Sequence, residues 1–253
     1  RPLLMLAFNP KIPLEVSGQA LKCLGGLIWS NGQAQHEFSR EKLEVSPLTT
    51  GPAVTPPFSP LMGAVLLTLH GNTSEEAADR QRNRALKLVE AFCFNNSDGQ
   101  LVLLSTLKGG QSVDSPGTAI LEALFDLDTS RRRDPWHCWY ASALLCNLID
   151  GNERAKKTLL EHQISTIDDD DEESGDIMTG LMLNLIRITR DSRGSTCQKS
   201  IIGYLQLLVV WLHESPMSVN KFLQEGSYIQ YLIERTTTQS STQDTEIQGL
   251  SSL

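Results

Sequence analysis

The chain has 253 residues, of which 40% are apolar and 21% charged, and its formal net charge is -8 at pH 7. This composition excludes a fully disordered chain and a coiled coil, and the excess of carboxylates argues against binding to nucleic acid or anionic lipid. No apolar run approaches the roughly 18 residues that span a membrane.

The first predicted unit consists of two helices joined by a tight polar turn. Residues 13–30 place apolar side chains at helical spacing, and Leu27 and Ile28 lie near the end of this helix. A short helix is predicted over residues 32–40, with Phe38 as its core anchor. An apolar helical segment at residues 1–6 precedes them without an initiator methionine, so we expect a fragment of a longer protein.

A proline-rich segment separates this unit from the next. Its five prolines exclude a continuous helix, and we expect a long, mobile loop over residues 41–59: Pro47, Pro52, Pro56, Pro57 and Pro60. The sequence Pro57-Phe58-Ser59-Pro60 matches the P-x-x-P ligand pattern. Because no basic residue flanks it closely, a stiff connector is favoured over an SH3 ligand.

Two helices are predicted next, over residues 60–69 and from Thr73 or Ser74 to about residue 94. The first half of the second helix is expected to face solvent or partners with these side chains: Ala77, Ala78, Arg80, Arg82, Arg84 and Lys87. Its other half is apolar. Shorter helices follow over residues 100–107 and 116–125.

Asp134-Pro135 predicts a helix start, with Asp at the N-cap and Pro at the first helical position. The helix runs to Leu148. A tight polar turn at Asp150-Gly151-Asn152 and a second short helix follow, and Asn31 occupies the place of Asn152 in the first unit. Asn147 lies inside the long helix, and an Asn on an inner armadillo helix can bind an extended peptide backbone. One isolated Asn does not define such a groove.

An acidic run covers residues 168–173, where like charges repel and oppose folding. We expect a mobile, solvated loop over residues 165–176 rather than a calcium loop, because the spaced ligands and turn glycine are missing. Our hypothesis is that this loop recruits a basic partner. Helices are predicted beyond it over residues 177–189, 197–213, 216–223 and 227–234, and the second of these is the most apolar.

The helix-turn-helix pattern recurs along the chain. In each copy we take one large apolar residue near the end of the long helix as the anchor: Leu27, Phe92, Leu148 and Trp211. Successive anchors are 65, 56 and 63 residues apart. Such recurrence is typical of stacked helical repeats, and the loops account for intervals longer than the armadillo period of about 40–47 residues. We therefore predict an all-α fold, an armadillo-like right-handed α-solenoid over residues 1–253.

Motifs for catalysis are missing from the sequence. It has no phosphate-binding loop, nucleophile elbow or dinucleotide fingerprint, so we predict no enzyme, no catalytic residue and no cofactor. Only His137 and Cys138 group with another cysteine, Cys146. The two cysteines would lie about 12 Å apart on one helix, too far for one zinc ion, and we expect core packing rather than metal binding. Five cysteines without a C-x-x-C pair suit a reducing, cytosolic setting.

Several stretches resemble one known family. Residues 203–212, Gly-Tyr-Leu-Gln-Leu-Leu-Val-Val-Trp-Leu, are followed by Pro216, Val219 and Phe222. Together with residues 33–39 and 224–229, they resemble the head domain of the general vesicular transport factor family. These proteins are Uso-type golgin tethers of ER-to-Golgi traffic.

The resemblance implies a vesicle tether whose helical head is a non-catalytic, protein-binding scaffold. It implies a fragment of a longer head domain, and a full-length homodimer whose coiled coil and acidic tail are absent from this chain. The implied partners are a Rab-type GTPase, SNARE proteins and golgins. The implied location is the cytoplasmic face of Golgi and transport-vesicle membranes, reached through partners.

The alternative is an armadillo-type peptide-binding adaptor. It predicts a ladder of Asn side chains at equivalent positions of the inner helices. At the offsets of Asn147, the other repeats have Gly26, Ala91 and Val210. The sequence therefore disfavours this alternative.

Overall fold

The computed structural model describes residues 1–44, 57–70, 76–107, 115–125, 134, 136–165, 174–191 and 195–237. These residues form helices almost throughout. The chain divides into two compact units, Arg1–Ala123 and Leu124–Leu253, and each is described by itself below.

The first unit contains six helices, and a seventh crosses its boundary. They are α1 (Pro2–Phe8), α2 (Leu14–Ile28), α3 (Gly32–Arg40), α4 (Pro60–His70), α5 (Glu76–Cys93), α6 (Ser97–Ser105) and α7 (Pro116–Phe125). The second unit continues with α8 (His137–Ile149), α9 (Glu153–Leu160), β1 (Gln163–Ser165), β2 (Ser174–Asp176), α10 (Ile177–Asp191), α11 (Ser195–Leu212), α12 (Pro216–Gln224) and α13 (Gly226–Thr237).

The helices follow a three-helix repeat. Each repeat unit ends with a long helix, a tight turn and a helix of eight or nine residues. The units are α1–α3, α4–α6, α7–α9 and α10–α12. In every turn the residue before the N-cap has a positive φ: Ser30 (55°), Asn95 (52°), Gly151 (62°) and Glu214 (50°). This left-handed backbone reverses the chain at a cost of about 1–2 kcal/mol for a non-glycine residue.

An N-cap stabilises the short helix after each of the first three turns. The side chains of Asn31, Asn96 and Asn152 each accept a hydrogen bond from the backbone N–H three residues on, at 3.1–3.2 Å. Each bond satisfies one of the N–H groups that a helix start leaves unpaired. The cap at Asn96 also starts α6 at Ser97, three residues earlier than predicted.

The predicted repeat anchors occupy equivalent places, three residues before each left-handed residue. Phe92, Leu148 and Trp211 are almost completely buried, but Leu27 is 61% exposed. In the second repeat, Phe38 of the preceding α3 covers Phe92, with ring centroids 6.2 Å apart. The described residues contain no short helix of an earlier repeat that could cover Leu27 in the same way. The prediction that Leu27 is a core residue was therefore wrong, while its neighbour Ile28 is buried.

Within each unit, the two long helices pack side by side and parallel. In the first unit Ser17 of α2 accepts a hydrogen bond from Gln81 of α5 at 2.7 Å, and Trp29 stacks on Phe94 at the other end. In the second unit Lys199 of α11 lies over the Trp136 ring at 4.6 Å. Gly203 lets α11 approach α8 closely, because a Cβ there would lie 3.0 Å from the Cα of Trp139.

In each unit, a buried donor from one short helix joins it to the next repeat. Gln35 of α3 donates from its side-chain amide to the carbonyls of Ala91 and Phe94, at 3.0 and 2.9 Å. At the equivalent position of α9, the Lys156 ammonium donates to the carbonyl of His213. These carbonyls lie at the ends of α5 and α11, where helical partners are missing.

We expect Lys156→Met to lower the free energy of unfolding by about 1.5–3 kcal/mol, because it removes a buried, charged donor from the His213 carbonyl while keeping an apolar chain of similar length. Lys157→Met is the matched control, since Lys157 is exposed and its ion pair with Glu161 lies on the surface. We expect it to change stability by less than about 0.5 kcal/mol. Urea unfolding followed by circular dichroism measures both, and equal losses would contradict the role of the buried donor.

Arg82 and Ala78 are both buried, which corrects the prediction that they face solvent or partners. The Nε and Nη2 atoms of Arg82 donate to the carbonyls of Thr68 and Leu69, at 3.0 and 3.1 Å. These carbonyls lie in the last turn of α4. Arg82 therefore caps α4 from α5.

Short strand pairs join the ends of both predicted loops. Leu43 and Phe58 form an isolated antiparallel bridge with hydrogen bonds of 2.8 and 3.1 Å, and both are buried. Strands β1 and β2 form an antiparallel hairpin. Strands were missed because three-residue strands are too short for an alternating pattern. The intervening residues 45–56 and the acidic run 168–173 lie outside the described residues.

The hairpin is joined to α12 by an ion pair. Lys221 lies 2.9 Å from one carboxylate oxygen of Asp176, and the other oxygen accepts the Thr179 N–H at 2.8 Å. Burial alone would raise the pKa of Asp176, but the hydrogen bonds from Thr179 and Lys221 outweigh it and lower the pKa. The carboxylate therefore stays ionised and holds the second strand in place.

Candidate protein-interaction surface on the first unit

The exposed face of α2 and α5 carries three pairs of side chains at equivalent positions. The pairs are Glu15 with Arg80, Lys22 with Lys87, and Trp29 with Phe94, and all six side chains are exposed. Seven residues separate successive members, which is close to two helical turns, so they share one face of each helix. We call this surface the α2–α5 face.

An exposed aromatic pair lies at the end of the α2–α5 face. The rings of Trp29 and Phe94 stack with centroids 4.4 Å apart and planes 18° apart. They remain 45% and 41% exposed. Stacked aromatic side chains with this much free surface are typical of the anchor points of protein interfaces.

Ion pairs cover the opposite end of the face. Arg80 contacts Glu76 at 2.6 Å and Glu15 at 3.6 Å, and Arg84 contacts Glu15 at 3.9 Å. Exposed pairs of this kind contribute only about 0–1 kcal/mol each. Their effect is to neutralise the carboxylates at this end.

Two lysines lie between these ends. Lys87 pairs with Glu90 at 2.6 Å, whereas Lys22 has no ion-pair partner among the described residues. About one helical turn after Lys22, the surface of α2 is uncovered at Gly26, where an added Cβ would meet nothing within 4 Å. The face is therefore open between Lys22 and Trp29.

The interval between repeat anchors could have revealed this surface. Leu27 and Phe92 are 65 residues apart, and the same offset relates each of the three pairs. In the sequence, that offset was evident only between the apolar anchors. Pairing the polar and aromatic residues as well requires knowing that α2 and α5 lie parallel.

The Asn ladder of a peptide-binding adaptor is missing. Gly26, Ala91, Asn147 and Val210 each lie four residues before the left-handed residue of their turn, so they are equivalent in the structure as well. Asn147 is the one Asn of the four, and it is half-buried.

The P-x-x-P segment packs against its own unit. Phe58 and Pro60 are buried, and the Ser59 hydroxyl accepts the Met62 N–H at 3.1 Å at the start of α4. An SH3 domain needs an exposed polyproline ridge. The segment as folded is a connector, as the sequence favoured.

Most of the cysteines that the structure describes are enclosed in the helical core. Cys93 and Cys138 are buried and Cys146 is half-buried, while Cys23 is exposed. Burial and the nearby Asp150 raise the pKa of Cys146 to about 12, and burial with Glu90 raises that of Cys93. A thiol with so high a pKa is a poor nucleophile and metal ligand at neutral pH. Within the described residues, no three potential metal ligands cluster.

We expect iodoacetamide at pH 8 to alkylate Cys23 at least about tenfold faster than Cys93, Cys138 or Cys146, because reaction needs an accessible thiolate. Peptide mass spectrometry after timed quenching measures each site. In urea, the four rates should converge. Equal rates in the native protein would contradict the burial of the three core thiols.

In the described part of the chain, no helix has the length and apolarity that crossing a membrane requires.

Repeated three-helix units and a surface of paired, exposed side chains define a helical-repeat protein of the armadillo type. Two crystal structures of Uso1 are similar to this chain, with TM-scores of 0.72 and 0.74 at 19% and 21% identity. Each similarity covers 98% of this chain and 37% of the Uso1 chain. They confirm the predicted all-α, armadillo-like helical fold.

Comparison of the sequence with models of known families shows the family of this chain. The model described as "Uso1 / p115 like vesicle tethering protein, head region" matches residues 31–253. The chain belongs to this family of vesicle tethering proteins, which confirms the resemblance drawn from the residues.

Individual relatives are distant and much longer. The chain is 26% identical over 207 residues to rat "General vesicular transport factor p115", covering 79% of this chain and 20% of the relative. It is 27% identical over 133 residues to Schizosaccharomyces pombe "Intracellular protein transport protein uso1", covering 52% and 12%. It is 26% identical to Arabidopsis thaliana "Golgin candidate 6", covering 99% and 28%. The chain thus spans about a fifth of the length of the p115 relatives.

Proposed function

We propose that this chain is the protein-binding part of a tether that docks transport vesicles between the ER and the Golgi. The observation that carries the proposal is the family match over residues 31–253. The fold fits this role, because stacked helices present a large rigid surface on which partners can dock. The chain acts as a scaffold without catalysis.

The proposed partners are other trafficking proteins: a Rab-type GTPase, SNARE proteins and golgins. Through them the protein would bind the cytoplasmic face of Golgi and vesicle membranes, and the full-length protein would be a homodimer. The names of the relatives, which describe transport factors and a golgin, support this assignment. Recruitment of a basic partner by the acidic run 168–173 stays a proposal.

Affinity capture of the full-length protein from cytosol tests the function. We expect recovery of a Rab-type GTPase, a SNARE or a golgin, quantified by immunoblot against capture on an unrelated helical-repeat protein. A cell-free ER-to-Golgi transport reaction depleted of the protein should lose vesicle docking and regain it when the protein is restored. Recovery of nuclear-signal cargo instead, with normal docking after depletion, would overturn the tether and favour the adaptor.

A further inference from the structure

We propose that the α2–α5 face binds a short acidic segment of a partner protein in extended conformation. A bulky apolar side chain of the segment would lie on the Trp29–Phe94 pair, and its carboxylates would lie at Lys22 and Lys87. The proposal names the chemistry of a partner and rests on the scaffold role proposed above.

The aromatic pair supplies the apolar half of the site. The two rings stack on each other, and each leaves more than two fifths of its surface exposed. Covering this surface would contribute through its apolar area, at roughly 25 cal/mol per Å².

The charges on the face favour a negatively charged partner. The acidic residues Glu15, Glu76 and Glu90 each pair with an arginine or lysine of the same face. Lys22 is the one cation of this face without an ion-pair partner among the described residues. Lys87, at the equivalent position on the neighbouring parallel helix, is already paired with Glu90. A carboxylate of the partner would therefore mainly neutralise Lys22.

The backbone of α2 provides the space for the segment. An added Cβ at Gly26 would meet nothing within 4 Å, and one at Gly25 would come no closer than 3.9 Å to the carbonyl of Lys87. The lysine pair and the aromatic pair are two helical turns apart, about 10 Å. An extended peptide covers this distance in about three residues, at 3.3–3.6 Å each.

This geometry favours a peptide over other anionic partners. Nucleic acid and anionic membranes gain affinity by pairing many phosphates with many cations. Here the carboxylates of the face already neutralise most of its cations, and one unpaired lysine lies beside an apolar anchor. A peptide can combine a few carboxylates with one apolar side chain at the required spacing.

The test uses a fluorescein-labelled ten-residue peptide of serine and glycine, with two adjacent glutamates and one leucine three residues further on. Binding to the 253-residue chain is measured by fluorescence polarisation. We expect Lys22→Glu to weaken binding by at least about fivefold, because it reverses the charge at the centre of the site. Lys11→Glu is the matched control with the same change in net charge. Lys11 is exposed outside the α2–α5 face, and we expect a change of less than about twofold.

A second variant separates loss of binding from loss of folding. Gly26→Leu adds bulk at an open position, where an added Cβ has no neighbour within 4 Å, and leucine is a better helix former than glycine. We therefore expect a melting temperature equal to or above that of the original chain, with binding weakened by at least about fivefold.

Three results would overturn the proposal. The first is equal binding of the glutamate peptide and its lysine counterpart. The second is an equal effect of Lys22→Glu and Lys11→Glu. The third is Lys22-dependent binding to vesicles with phosphatidylserine but not to the peptide. If the Lys22→Glu full-length protein still captures every trafficking partner while the peptide fails to bind, this inference falls and the tether function stands.

Discussion

Replacing Arg82 by alanine is expected to lower the free energy of unfolding of the first unit by about 3–5 kcal/mol. The guanidinium is completely buried and donates to the carbonyls of Thr68 and Leu69. Without it, both carbonyls at the end of α4 lose a partner in a place where water does not replace it. The truncation also leaves a void between α4 and α5. Urea unfolding followed by circular dichroism measures the loss.

Arg80→Ala is the control for this prediction. Arg80 lies two residues earlier on the same helix, and its side chain is 45% exposed in contact with Glu76 and Glu15. Surface ion pairs contribute little, so we expect a loss of about 0–1 kcal/mol. If the two substitutions cost the same, Arg82 does not cap α4.

The second large effect is expected from Leu148→Ala, which should cost about 2–5 kcal/mol. Leu148 is completely buried near the end of α8. Alanine removes apolar contacts and leaves a cavity that the surrounding helices fill only in part. The same substitution at the equivalent position of the first repeat, Leu27→Ala, should change stability by no more than about 0.5 kcal/mol, because Leu27 is largely exposed.

Comparing Leu148→Ala with Leu27→Ala separates the effect of burial on stability from the effect of local sequence. Both residues are leucines three positions before a left-handed residue, so their local structure and the deleted atoms are the same. Denaturant unfolding of each variant against the original chain gives the two differences. A loss at Leu27 as large as that at Leu148 would show that Leu27 is covered in solution.

The two ends of the α2–α5 face differ in what they contribute. The Glu15, Arg80 and Arg84 contacts neutralise charge on the surface, whereas the Trp29–Phe94 pair leaves apolar area exposed. The exposed part of these rings makes no contribution to the folded core, and the proposed peptide would cover it.

The sequence by itself determined the local pattern of this protein. Apolar side chains at helical spacing predicted the long helices, and the turn at Asp150-Gly151-Asn152 predicted the break before α9. The recurrence of that turn at Asn31 predicted the repeat and with it the fold class. These signals are local, because a helix, its cap and a left-handed turn depend on residues within a few positions of one another.

The tertiary structure alone decided which side chains are covered. Arg80 and Arg82 are both arginines of one helix, yet one pairs on the surface and the other caps α4 from inside the core. Leu27 and Leu148 likewise share a local sequence role but not an environment. Burial depends on the helix that packs beside each position, and that neighbour comes from residues far away in the chain. The pairing of Trp29 with Phe94 was hidden for the same reason, since α2 and α5 become neighbours only when the repeats stack.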